Sequence, residues 1–85
     1  MLPLRLPGCF SESTRTIGHD LSPGGTHSDV ADVTACQSIC ASTSGCLSFC
    51  YQEPPYKFCY LKTEVVANID SNTEAGWTSG PATCS

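Results

Sequence analysis

Seven of the 85 residues are cysteine, and this density constrains the fold more than any other feature of the sequence. So many cysteines in a short chain are typical of extracellular domains that are held together by disulfide bonds. A chain of this size buries only about 60% of the surface of its unfolded form, so its hydrophobic core is marginal without cross-links. The sequence therefore predicts one secreted, disulfide-rich domain. Its cysteines are Cys9, Cys36, Cys40, Cys46, Cys50, Cys59 and Cys84.

The charge of the chain argues against several classes of partner. Four basic residues stand against eight acidic ones, the net charge is −4, and no run of Lys or Arg occurs. Such a chain is poorly suited to nucleic acid, and no apolar stretch approaches the about 20 residues that a membrane span needs. We therefore expect no nucleic acid partner and no membrane insertion.

Residues 1–7 contain two prolines and are too short for a signal peptide. We interpret them as a disordered N-terminal extension or as residues added for expression, and residues 8–85 as a single domain.

One helix is predicted from hydrophobic spacing. Val33, Cys36 and Cys40 recur at intervals of three and four residues, which places them on one face of a helix. Asp32 is suited to the N-cap, because its carboxylate can accept a hydrogen bond from a free N–H of the first turn. We expect the segment Ser42-Thr-Ser-Gly45 to end the helix, since Gly45 can adopt the left-handed conformation of a C-terminal cap.

Alternating residues predict the strands. Residues 46–51 and 57–62 are two such runs around a proline-rich turn, which is typical of an antiparallel hairpin. We expect residues 65–66 to add an edge segment and residues 75–79 to form a last short strand that ends at the following Gly-Pro. Residues 10–31 are polar and rich in turn-forming residues, so we expect short strands joined by loops there.

Several motifs, in this order along the chain, resemble the apple (PAN) domain. They are Gly18-x-Asp20-Leu21, Cys36-Gln37-x-x-Cys40-x5-Cys46, Phe49-x-Tyr51, Cys59-x-Leu61-Lys62 and Gly76-x-x-Ser79-Gly80-Pro81-x-x-Cys84. The chain is most similar to the tandem apple domains of microneme adhesins from apicomplexan parasites such as Eimeria. The resemblance implies a small, disulfide-rich α+β fold, with one helix packed on a curved antiparallel sheet of about five strands.

An odd number of cysteines leaves at least one thiol unpaired or paired outside the chain. If six of them pair, about 15 connectivities remain open from the sequence alone. The resemblance implies one of these, with Cys50 as the free thiol. We interpret Cys50 as a buried and inert thiol; the alternatives are a bridge to another chain or an exchange with a cysteine of the expected scheme. The three implied disulfides are Cys9–Cys84, Cys36–Cys59 and Cys40–Cys46.

Zinc is the alternative to disulfides. Two pairs of cysteines have a spacing within the range of zinc ligands, and His19 and His27 could complete a site. Both histidines lie in a predicted loop far upstream, so we favour disulfides and expect no metal and no cofactor.

No serine or threonine stands in a nucleophile motif, and no pair of carboxylates suggests acid–base chemistry. We therefore expect no enzyme.

The resemblance to apple domains implies a non-catalytic binding module. By that resemblance the chain is one repeat of a tandem array that is secreted through micronemes and mediates protein–protein binding in host-cell attachment and invasion. Its partner would be a host-cell surface protein or glycan, another adhesin, or a neighbouring apple domain. Two alternatives stay open: a galactose-type lectin domain and a structural spacer.

Exposed aromatic and basic residues are the candidates for ligand binding, because a sugar packs on an aromatic face and bonds to polar groups beside it. The candidates are Tyr56, Lys57, Tyr60, Lys62 and Trp77. Lys57 and Lys62 are five residues apart on a predicted strand and so point to opposite faces, which argues against a shared pocket. Trp77 has an alternative role in the core. A protein interface would instead show an exposed apolar patch, for which the candidates are Val65, Val66 and Ile69, or the Pro54-Pro55-Tyr56 tip.

Overall fold

The structure, a computed structural model, describes residues 9–83. It confirms the predicted fold class, because one α-helix lies against a five-stranded sheet in which all neighbouring strands are antiparallel. The strand order is β1-β5-β3-β4-β2. The predicted N-terminal extension, residues 1–7, lies outside the described residues. In chain order the elements are β1 (Ser11–Thr16), β2 (Thr26–His27), α1 (Val33–Ala41), β3 (Ser48–Gln52), β4 (Phe58–Lys62) and β5 (Ser71–Pro81).

Helix α1 begins where the sequence predicts. Asp32 is its N-cap, and a side-chain oxygen of Asp32 accepts a hydrogen bond from the backbone N–H of Ala35 at 2.8 Å. Cys36 and Cys40, one turn apart, are fully buried toward the sheet. The spacing of apolar residues therefore identified the buried face of the helix correctly.

Helix α1 ends in the predicted segment, with Ser42 as its C-cap. Gly45 is not the cap, and it takes its positive φ of 89° in the turn that leads to β3. The Thr43 hydroxyl instead donates to the carbonyl of Ile39 at 2.6 Å. A side chain thus satisfies one of the last helical carbonyls and no glycine is needed at the cap.

The predicted hairpin is confirmed, since β3 and β4 pair with Phe49 opposite Leu61. The prediction for the last strand is wrong in length, because β5 begins at Ser71 and continues through Gly80 to Pro81. Gly80 lies opposite Phe49, and a Cβ atom on it would stand 3.1 Å from the rings of Phe49 and Phe10. Glycine at this position makes room for two aromatic rings and does not end the strand.

The predicted edge segment at residues 65–66 is also wrong. Val66–Asn68 form a short 3-10 helix. The Glu64 carboxylate holds this turn, accepting from the backbone N–H of Val65 at 2.9 Å and from the Asn68 amide at 3.5 Å. A local side-chain bond therefore replaces the expected strand pairing.

Two disulfides fix the helix to the rest of the domain. Cys36 is bonded to Cys59 of β4, and Cys40 is bonded to Cys46, which lies in the turn before β3. These are two of the three pairs that the resemblance to apple domains implies. Sulfur atoms that are bonded to each other cannot serve as the thiolate ligands that the zinc alternative requires. For the third pair, Cys9 is disulfide-bonded, and Cys84, its implied partner, lies outside the described residues.

The hydrophobic core lies between α1 and one face of the sheet. Tyr51 is buried there, and its hydroxyl donates to the carbonyl of Val30 at 2.6 Å. Every second residue of β3 and β4 faces this core, as expected for strands with one face on a helix. The buried members of the cluster are Val30, Cys36, Cys40, Cys46, Phe49, Tyr51, Cys59 and Leu61.

Candidate functional site

A cleft of about 160 Å³ opens on the face of the sheet opposite α1. Cys50 pairs directly with Tyr60 across β3 and β4, and directly opposed residues share a face. Side chains alternate between the two faces along each strand, so Cys50 and Tyr60 lie on the face opposite Tyr51 and the core. A cavity of about 150 Å³ can hold a molecule the size of benzene, so the cleft has room for one side chain or one small ligand. Among the residues that line it are Arg15, Thr16, Cys50, Tyr60, Lys62 and Trp77.

Lys62 and Asp20 form an ion pair at the edge of the cleft. The Lys62 Nζ atom lies 2.7 Å from Oδ1 of Asp20. The Lys62 side chain is only 5% exposed, whereas that of Asp20 is 59% exposed. An isolated antiparallel bridge between the backbones of Asp20 and Lys62 brings the two residues together. The motif Gly18-x-Asp20-Leu21 thus runs beside the end of β4 and supplies the only carboxylate among the described residues that line the cleft.

Trp77 forms a wall of the cleft together with Arg15 and Glu74. The Arg15 guanidinium lies over the Trp77 ring, 4.8 Å from its centroid, and the indole Nε1 donates to Oε2 of Glu74 at 3.0 Å. The other oxygen of Glu74 is 3.6 Å from the Arg15 guanidinium. Trp77 is 8% exposed and is therefore buried, but it lies on the face away from the helix core. The Tyr60 ring packs beside it with centroids 5.7 Å apart.

An irregularity in the β1–β5 ladder creates this wall. Glu12 pairs with Thr78, but Thr14, two residues later, pairs with Thr73. Four residues of β5, 74–77, thus stand against the single residue Ser13, which has a positive φ of 53°. Such a bulge bends the strand and redirects its side chains. It brings both ends of the 74–77 segment to Arg15.

Cys50 and Thr16 also line the cleft. Cys50 is a free cysteine, and burial raises the pKa of its thiol. Thr16 and the charges of Lys62 and Arg15 act in the opposite direction on this pKa, but burial is the larger effect. The thiol is therefore protonated at neutral pH and is a poor nucleophile. Thr16 is 3% exposed, and its hydroxyl has no nitrogen or oxygen partner within residues 9–83; the group beside it is the weakly hydrogen-bonding Cys50 thiol.

The structure separates the predicted binding residues into two groups. Tyr60, Lys62 and Trp77 line the cleft together. Tyr56 lies in the turn between β3 and β4 with 59% of its surface exposed, and Lys57 follows it with a positive φ of 58°. Neither Tyr56 nor Lys57 lines the cleft.

Arg15 and Thr16 are residues of the cleft that the sequence analysis missed. Both stand in a polar stretch where no hydrophobic pattern marks a buried position. They reach Trp77 and Cys50 only through the pairing of β1 with β5, about 60 residues apart in the chain. One sequence feature could have indicated the bulge. Gly76 lies within it and has a positive φ of 90°, a conformation that favours glycine.

The two candidate apolar patches have different outcomes. Ile69 is buried and Val66 is half-buried, so these residues do not form an exposed patch with Val65. The tip of the hairpin is exposed at Pro54, Pro55 and Tyr56. The exposed apolar surface with the larger aromatic contribution is therefore the tip.

Comparison with known protein families identifies the family of this chain. A family model described as the PAN domain matches residues 14–62, which is more than half of the chain and runs from β1 to the end of β4. No curated protein matches the sequence significantly. In the part of the chain that the structure describes, no helix is long and apolar enough to cross a membrane.

Proposed function

Because the chain belongs to the PAN domain family, we propose that it is an extracellular adhesion module that binds a partner protein. Domains of this family generally bind proteins or carbohydrates and are typically non-catalytic. The disulfide-rich composition fits a secreted domain. The resemblance to apicomplexan adhesins supports a role as one repeat of a tandem array, released from micronemes and engaged in host-cell attachment and invasion.

The covered ring of Trp77 favours a protein over a sugar as the ligand. A pyranose ring needs an open aromatic face, but Arg15 lies over the ring and only 8% of Trp77 is exposed. The polar cleft beside it has room for a single side chain, and the hairpin tip adds an exposed aromatic contact at Tyr56. A polar pocket and a separate aromatic contact together are typical of protein interfaces, where aromatic residues are enriched. The partner would be a host-cell surface protein, another adhesin or a neighbouring apple domain.

A galactose-type lectin is the second candidate, and a row of three rings favours it. Phe58, Tyr60 and Trp77 follow one another across the sheet with centroids 6.1 and 5.7 Å apart. Lys62 and Asp20 stand beside the row and could bond to sugar hydroxyls. Movement of Arg15 away from Trp77 would be needed before a sugar could use that ring.

Cell binding by a multivalent form of the chain tests the proposal. The biotinylated chain is assembled on streptavidin, because four copies raise a weak affinity to a measurable avidity. Binding to host cells is measured before and after mild proteolysis of the cell surface, and in the presence of free galactose. We expect proteolysis to abolish binding and galactose to leave it unchanged.

The outcomes separate the candidates. Binding that galactose inhibits would establish the lectin and overturn the proposal. No binding at all would exclude a host-cell surface protein as the partner and leave another adhesin, a neighbouring apple domain or the spacer role. Tyr56→Ser should weaken protein binding, whereas Val65→Ser is a matched control because Val65 is also exposed but lies outside the tip. Equal binding by the two variants would remove the tip from the interface.

A further inference from the structure

The cleft contains an excess of hydrogen-bond donors. The ammonium of Lys62 has three N–H groups, and its one hydrogen-bond partner in the described chain is Asp20. The Arg15 guanidinium carries five N–H groups, and its contact with Glu74 at 3.6 Å is an ion pair too long for a good hydrogen bond. Most of the donor capacity of these two cations is therefore left to solvent or to a ligand.

Thr16 adds an independent observation. Its hydroxyl is buried, lines the cleft and has no nitrogen or oxygen partner within residues 9–83. It lies beside the Cys50 thiol, which is only a weak hydrogen-bonding group. A buried hydroxyl without a proper partner is costly, so this atom marks a position where a ligand atom would be stabilised.

We propose that this cleft binds the carboxylate of an acidic side chain, Asp or Glu, from the partner protein. An ionised carboxylate is an acceptor-only group with about four lone-pair sites, which is what a cleft rich in donors can satisfy. Charge-assisted bonds from Lys62 and Arg15 are stronger than bonds between neutral groups, and the Thr16 hydroxyl supplies a third donor. The proposal names the chemistry of the partner and rests on the protein-binding function proposed above.

The size and charge of the cleft support this assignment. A volume of about 160 Å³ admits one side chain. The chain as a whole carries a net charge of −4, so an acidic partner is attracted only where cations are concentrated. Two of the four basic residues of the chain line this one cleft.

Asp20 would compete with a carboxylate of the partner for the Lys62 ammonium. Its carboxylate already occupies one donor of Lys62, yet its side chain is 59% exposed and can turn toward solvent. A carboxylate from a partner would enter against the repulsion of Asp20. Removing that charge should therefore strengthen the binding of an acidic ligand, whereas a purely structural role of Asp20 would give no such gain.

Nuclear magnetic resonance titration of the oxidised, ¹⁵N-labelled chain tests the proposal. The probes are N-acetyl-glutamate methylamide and its neutral counterpart, N-acetyl-glutamine methylamide, at low salt. We expect the glutamate probe to shift the amide signals of Thr16, Gly18 and Cys50 with a dissociation constant in the millimolar range, about −4 kcal/mol. The glutamine probe should leave them in place, and added salt should weaken the glutamate shifts.

Two variants and one control sharpen the test. Thr16→Val keeps the shape of the side chain and should weaken the glutamate probe about tenfold, the loss expected for one bond to a charged group. Asp20→Asn should bind it about fivefold more tightly, since a like charge a few Å away is worth about 1 kcal/mol even in water. Asp29→Asn removes the same charge from a residue that does not line the cleft and should bind as the unchanged chain does.

Several results would overturn the inference. They are equal shifts from the two probes, shifts confined to other residues, tighter binding of inorganic phosphate at the same amides, and no gain from Asp20→Asn. Absence of glutamate binding in a chain that still binds a cell-surface protein would refute the acidic ligand alone. Glutamate binding in a chain that ignores cell-surface proteins would exclude a host-cell surface protein as the partner and leave the cleft as a carboxylate site.

Discussion

The ion pair between Lys62 and Asp20 should contribute unequally through its two members. Lys62 is buried on β4 with 5% of its side chain exposed, and Asp20 lies at the surface with 59% exposed. Asp20→Ala leaves a buried ammonium without its counter-charge. Lys62→Met removes the charge but keeps an unbranched apolar side chain, and it leaves behind a carboxylate that water can solvate. We therefore expect Asp20→Ala to be the more destabilising change.

The structure sets the size of the effect between two limits. Breaking a fully buried ion pair by removing one partner costs about 3–5 kcal/mol, and an exposed pair contributes about 0–1 kcal/mol. Here one partner is buried and the other is mostly exposed, so solvent screens part of the interaction. We expect Asp20→Ala to lower the free energy of unfolding by about 2 kcal/mol and Lys62→Met by less than about 1 kcal/mol. The double variant should resemble Lys62→Met, because no unpaired charge remains buried.

Urea denaturation of the oxidised chain measures these differences. The midpoint should fall for Asp20→Ala with an unchanged slope, and the melting temperature should fall by about 8–16 °C if a domain of this size follows the usual scaling. Asp29→Asn controls for the general loss of negative charge, because asparagine tolerates the positive φ of 57° at this position. A larger effect of Lys62→Met than of Asp20→Ala would show that packing of the lysine stem, and not its charge, is the dominant contribution.

Three further changes test other parts of the structure. Gly25→Ala should destabilise the domain by more than about 2 kcal/mol, because its Cβ would stand 1.9 Å from the carbonyl oxygen of Leu21; normal stability by urea denaturation would contradict that packing. Asp32→Ala should cost about 1 kcal/mol through loss of the N-cap of α1, and Asp32→Asn should restore most of it in the same measurement. Cys50 should react slowly with iodoacetamide at pH 8 in the folded chain, because burial raises the pKa of its thiol and so lowers the fraction of reactive thiolate. Its rate should rise on unfolding in urea without reductant, and equal rates in the two states would show that the thiol is accessible.

Local signals were sufficient for the helix and the hairpin. Asp32 and the spacing of Cys36 and Cys40 define α1 through interactions within a few residues. The alternation in β3 and β4 reflects one apolar face that packs against the helix, and the proline-rich turn between them makes the two strands neighbours. These elements could be predicted because their sequence pattern and their tertiary environment agree.

Contacts between residues far apart in the sequence determine the features that could not be predicted, namely the length of β5 and the side of the cleft that β1 forms. Glycine usually marks the end of a strand, so Gly80 was predicted to end β5. In the structure Gly80 lies within β5 opposite Phe49, where the aromatic rings leave no room for a side chain. Arg15 reaches Trp77 only because β1 and β5, at opposite ends of the chain, are neighbours in the sheet. Tyr60, Lys62 and Trp77 could therefore be proposed as binding residues from their residue types alone. The residues that β1 adds to the cleft could not, because their position depends on which strands are neighbours.

The two faces of the sheet bury different kinds of side chain. The helix side holds the apolar cluster and both described disulfides, whereas the opposite side buries polar groups such as Ser48 and Ser79. The hydroxyls of Ser48 and Ser79 donate to backbone carbonyls at 2.6 and 3.1 Å, so their burial is compensated. Within residues 9–83, Thr16 and His27 have buried side-chain atoms that lack such a partner, and of the two only Thr16 lines the cleft. Because the helix face already supplies the covalent and apolar stabilisation, the domain can tolerate a buried hydroxyl whose neighbour is only a weakly hydrogen-bonding thiol. On the proposal made above, a ligand that supplies a stronger acceptor there would gain the free energy that this hydroxyl now lacks.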